Sequence, residues 1–146
     1  MRISAKGRYG LAALVHMAAG HESGRPKSVI DISTRLGISK IYLEQVFAQL
    51  KKSGLLQSVK GAQGGYRLAR APRDISVLEI LGAVDQSLFE PTGDTVREQA
   101  PGIEAAMRSL AFDALDSAVA GSLGEVTLQQ MADEAQQGAS GYMFYI

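Results

Sequence analysis

The chain has 146 residues and no cysteine, enough for one compact domain with a working core, and it excludes disulfides, thiolate catalysis and cysteine-held iron–sulfur or zinc centres. Its 46% hydrophobic and 21% charged content is that of an ordinary globular protein. No apolar run reaches the roughly 20 residues of a membrane span, and MRISAKGRYG has no apolar core of a secretion signal, so the cytoplasm is the expected compartment.

The zero net charge hides a split. Residues 1–73 hold thirteen Lys/Arg against three acids, a balance of +10; residues 74–146 hold two against twelve, a balance of −10. A nucleic-acid-facing half and a half with another task fit such asymmetry. The two histidines, His16 and His21, are five apart on one predicted helix. They miss the i,i+4 spacing of a helical metal pair, so no metal site is expected.

In chain order, Ser4 caps a predicted helix to Gly20, with Leu11, Leu14, Val15 and Ala18 as its apolar stripe. A polar link, HESGRPK, follows. Ser28 caps a short helix with Asp31 in its first turn, Ile30, Ile32 and Leu36 facing inward and Gly37 ending it. Ser39 caps a third helix to about Ser53, apolar at Ile41, Leu43, Val46, Phe47 and Leu50. Its outward face carries Lys40, Tyr42, Glu44, Gln45, Gln49, Lys51 and Lys52.

LLQSVKGAQGGYRLAR reads as two short strands around a glycine-rich tip. Ser76 and Glu79 form a capping box for a helix to about Asp85, residues 87–101 read as a loop, and a long helix is expected from Gly102 to Leu123. That helix has two apolar stripes, Ile103, Met107, Leu110 and Ala114, then Phe112, Leu115, Val119 and Leu123, more than one side of a surface helix needs, so it suits a homodimer interface. Thr127 caps a last helix to about Gln137, and GASGYMFYI reads as a flexible lead into mostly apolar residues.

Helix, helix–turn–helix, then basic hairpin is the order of a winged helix-turn-helix, so the expected fold is mainly α with a small β-hairpin wing and a long dimerisation helix. The expected division is a DNA-binding domain over 1–73, a helical linker and dimerisation region over 74–137, and a partner-binding tail over 138–146. The helix from Ser39 would enter the major groove of double-stranded DNA at a near-palindromic operator. Gln45 can read adenine bidentately, Glu44 can accept from cytosine N4, and Ser28, Ser39 and Lys40 at helix starts suit phosphates. Tyr42 can touch a phosphate, meet a thymine methyl or pack on the turn. Lys60 and Arg67 bring charge from the hairpin, while Gly61 and Gly64 let its backbone approach closely. A nucleotide cradle is the rival for GAQGG, but it lacks the Walker lysine–serine pair and precedes a strand. No nucleophile–base pair is visible, so an enzyme is not expected.

Three stretches, MRISAKGRYGLAAL, then GISKIYLEQVFAQLKKSGLLQSVKGAQGGYRLAR, then ISVLEILGAVD, make the chain resemble the Rrf-type winged-helix transcription regulators over most of residues 1–86. Members often carry three cysteines between the fourth and long helices, holding an iron–sulfur cluster. QSLFEPTGDTVREQAPG has none here, so no such cofactor is expected. The ending GYMFYI resembles the family's cysteine-metabolism repressors. That resemblance implies that Tyr142, Met143, Phe144, Tyr145 and Ile146 dock into cysteine synthase, with repression of sulfur-metabolism genes as the outcome. A tail folded on its own dimer, with a small effector sensed directly, is the alternative.

Overall fold

A computed structural model describes the backbone of residues 2–144 and the side chains of residues 2–138. Among the described residues, seven α-helices and one hairpin follow in the order α1 (Ala5–Ala19), α2 (Val29–Leu36), α3 (Lys40–Lys52), β1 (Leu56–Val59), β2 (Gly65–Leu68), α4 (Val77–Val84), α5 (Pro101–Met107), α6 (Asp113–Glu125) and α7 (Leu128–Phe144). A π-helical turn, Arg108–Phe112, joins α5 to α6, so the three pieces run on as the long helix. It starts at Pro101, where a missing N–H costs nothing, in line with the expected start near Gly102.

Local capping chemistry sets most helix starts. The hydroxyls of Ser4, Ser28 and Ser39 accept from the backbone N–H three residues on, and Ser76 with Glu79 forms the reciprocal box. Thr127 and Gln130 exchange the same pair of bonds ahead of α7. Asp85, buried at the end of α4, accepts from the Ser4 N–H at 2.7 Å and so ties the start of α1 to α4.

One apolar cluster runs through Leu14 and Met17 of α1, Ile32 of α2, Leu43, Val46, Phe47 and Leu50 of α3, Ile80 and Val84 of α4, and Leu128 and Ala132 of α7. The side of α1 that lies deepest is Gly7, Gly10, Ala13, Leu14, Met17 and Ala18, whereas Leu11 and Val15 are half-buried. Gly10 lets α1 sit close to α3 and α4, since a Cβ there would lie a tight 3.3 Å from Val46 and Val84. Ile30 and Ile41, expected inside, are exposed: two consecutive-turn starts leave them on the outward phase, opposite Ile32 and Leu43.

β1 and β2 pair antiparallel in the register Leu56↔Leu68 to Val59↔Gly65. The polar link contributes to this wing, because Lys27 and Tyr66 exchange both backbone hydrogen bonds at 2.8 Å. The expected loop after α4 begins with a 3-10 turn, Gln86–Phe89, and is then irregular to Ala100. The last helix does not stop near Gln137. It continues to Phe144, so the stretch expected as a flexible glycine lead is helical backbone instead. Gly138 and Gly141 cost helix propensity without forbidding the conformation.

Candidate nucleic-acid interface

The turn between α2 and α3 is closed by its own backbone. Gly37 adopts φ +67° and donates to the Ser33 carbonyl at 2.9 Å, and the Ser33 hydroxyl donates to the Ile38 carbonyl at 2.5 Å. Ile38 is buried beneath it, fixing how α3 leaves α2. The left-handed φ at position 37 is what makes glycine the fitting residue.

With Leu43, Val46, Phe47 and Leu50 buried, the opposite side of α3 is Ile41, Glu44, Gln45 and Ala48, all exposed. These recur at three- and four-residue steps, one stripe along an outward helix. Ile41 is 70% exposed and adds an apolar tip of the kind that meets a thymine methyl. Sequence reasoning assigned it to the core on hydrophobicity; its shared phase with Gln45 and Ala48 is the signal that locates it. Lys40 pairs with Glu44 at 3.5 Å, both side chains about half exposed, so the pair orients Glu44 more than it stabilises the fold.

Tyr42 sits apart from that stripe. It is half-buried, and its ring meets the edge of Tyr9 with centroids 5.0 Å apart at 83°. The packing role is therefore filled, leaving the phenol end for any outside contact. The hydroxyls of Ser28 and Ser39 accept from Asp31 N–H at 3.1 Å and Tyr42 N–H at 3.4 Å, and each O–H proton stays available to a phosphate.

On the wing, Lys60 and Gly61 are exposed just past β1, and Arg67 is exposed on β2. Arg67 Nε donates to the cross-strand Gln57 Oε1 at 3.3 Å, which steadies the guanidinium. The tip glycines have internal reasons. A Cβ at Gly64 would collide with the Val59 carbonyl, and one at Gly65 with the Lys27 carbonyl, while Gly61 needs φ +112°.

Among the described residues, Lys40 and Arg70 are the only basic side chains of 1–73 within ion-pair range of an acid. The remaining cations are uncompensated, a charge distribution that draws in polyanions. His16, half-buried on α1, is held below its usual value first by burial and then by Lys27 and Arg35. Tyr142, Met143 and Phe144 lie on the α7 backbone with their side chains outside the described residues, and Tyr145 and Ile146 are outside them altogether.

Comparison with known proteins agrees with this geometry. The family model Rrf2, described as an iron-dependent transcriptional regulator, matches residues 3–134. The transcriptional regulator IscR of Photobacterium profundum is 39% identical over 142 residues, covering 97% of this chain and 81% of that protein. The solved structure of CymR, the global cysteine regulator of B. subtilis, superposes with a TM-score of 0.76 at 31% identity, covering 92% of this chain and 98% of that one. That of IscR from T. potens superposes with a TM-score of 0.73 at 36% identity over 99% and 97%.

Proposed function

The chain belongs to the Rrf2 family of DNA-binding transcriptional regulators, and from that premise we propose that it works as a homodimer repressing genes of cysteine and sulfur metabolism, with its C-terminal segment docking into cysteine synthase. The observation that carries the DNA-reading part is the outward stripe of α3 flanked by uncompensated cations. In this reading Gln45 and Glu44 contact base edges, and Ile41 an adjacent methyl. Ser28, Ser39, Lys40, Lys60 and Arg67 hold phosphates, Tyr42 braces the helix start, and Gly61 and Gly64 shape the wing tip.

Two stripes on the long helix support the homodimer. Leu110 is 80% exposed and Leu115 57%, and α6 buries none of its residues within one chain. A second copy crossing the first would cover them and set two α3 helices at a two-fold spacing. Because the sequence has no cysteine, a cluster held by cysteines is ruled out, and control must come from elsewhere.

The ending GYMFYI and the likeness to CymR support the sulfur-metabolism assignment. The test is retention of purified cysteine synthase by the full chain and by a chain lacking Tyr142–Ile146, alongside selection of a preferred duplex. Loss of synthase with intact duplex selection is expected. Undiminished retention by the shortened chain rejects the tail, and no preferred duplex rejects the regulator's base reading.

A further inference from the structure

Between the end of α1, the link that follows it and the β2 edge of the wing lies a partly enclosed cavity of about 320 Å³. Its lining includes the apolar Met17 and Leu68, Tyr66, the cationic Arg25, Lys27 and Arg67, and His21. No acidic side chain lines it, and among the described residues neither the Lys27 ammonium nor the Arg25 guanidinium has a hydrogen-bond or ion-pair partner.

Lys27 is not an ordinary surface lysine. Its backbone is fixed by two 2.8 Å hydrogen bonds to Tyr66, so the root of the side chain is rigid. Its Nζ lies so close over Gly20 that a Cβ there would come within 2.8 Å of it. The ammonium thus lies against the end of α1, at the wall of the cavity that Gly20 and Lys27 share. Two cationic side chains without a partner, with Arg67 and His21 beside them on a partly apolar wall, suit a multiply charged oxyanion. The volume matches the low end of small-ligand sites.

We propose that this cavity is an oxyanion site that takes a phosphate group, carried by a small phosphorylated molecule or by the DNA backbone. It is separate from the base-reading stripe of α3. Occupancy would tie the link and the wing together across Lys27 and Arg67, and so bear on how the wing is presented.

The test uses the full chain and inorganic phosphate titrated at fixed ionic strength against chloride, read by the amide resonances of Gly20, Lys27 and Tyr66. Saturable shifts confined to these positions are expected with phosphate. They should weaken about tenfold in Lys27→Met and in Arg25→Gln, as loss of one charge-assisted hydrogen bond dictates. Should Lys27→Met fail to fold, Arg25→Gln carries the comparison alone. Repeating the titration with random-sequence duplex present separates the sources: displacement assigns the site to backbone phosphate, and persistence to a small molecule. Shifts no larger than chloride produces, or shifts unchanged in the folded variants, overturn the site.

Discussion

The head formed by α1–α3, the wing and α4 and the arm formed by α5 and α6 are built on opposite principles. Each helix of the head has a buried side; α3 alone buries Leu43, Val46, Phe47 and Leu50. α6 buries nothing, and α5 buries only Glu104, a charged residue. Charges divide the same way. Most cations of the head lack a partner, whereas both basic residues of 74–146 are engaged, Arg97 with Asp94 and Arg108 with Asp94 and Glu104. The head buries most of its apolar side chains, with Leu128 and Ala132 of α7 closing the core, and leaves most of its charge unpaired. The arm engages both of its cations internally, keeps an excess of acids, and leaves its apolar surface for a partner.

Phe47→Ala should break the head most severely. The ring is fully buried and meets Tyr66 edge-on at 5.1 Å, so its loss should cost about 3–5 kcal/mol in urea unfolding. The double variant Leu110→Glu, Leu115→Glu should leave that unfolding transition in place. It should instead dissociate the dimer in sedimentation and lower operator affinity roughly 100-fold as bivalency is lost. A variant that still sediments as a dimer would place the interface elsewhere. Gln45→Ala acts on neither packing system and should cost about 1–3 kcal/mol at one base-pair position in duplex competition. An equal loss on every duplex would move Gln45 to phosphate contact.

The head was legible in sequence where its causes are local. Ser4, Ser28, Ser39, Ser76 and Thr127 each cap the helix expected of them, because a hydroxyl and an N–H three residues on need no distant partner. Hydrophobicity misplaced Ile30 and Ile41, since an exposed apolar side chain looks like one in a core until its phase is compared with its neighbours. The pairing of Lys27 with Tyr66 joins residues far apart through a single pair, too short for an alternating strand pattern. Gly64, expected to let the wing approach DNA, also answers to the fold, since a Cβ there would meet the Val59 carbonyl, as one at Gly65 would meet that of Lys27. The continuation of α7 past Gln137 runs through glycines that weaken a helix signal without ending the helix.

The smallest expected effect tests whether Glu104 is held in the arm as its geometry indicates. Glu104 is 3% exposed, and its Oε2 accepts from the N–H groups of Val96 at 2.8 Å and Thr95 at 3.0 Å, pinning the preceding loop to the start of the long helix. The Val96 hydrogen bond, followed by those of Thr95 and the charges of Arg108 and Arg97, holds its carboxyl below the ordinary glutamate value against the opposing effect of burial. A carboxyl depressed in the folded state adds stability above its unfolded value and loses it as pH falls through the folded one. Thermal melting of the intact chain should therefore weaken on the acid side of the ordinary glutamate range. Glu104→Gln should lose part of that acid-side slope while speeding hydrogen exchange at Thr95 and Val96. The variant should leave Gln45-dependent base preference unchanged, because nothing in the clamp touches α3. A slope identical to that of the parent chain would mean that the clamp is not the group being titrated, and the division of labour between head and arm would then rest on apolar surface alone.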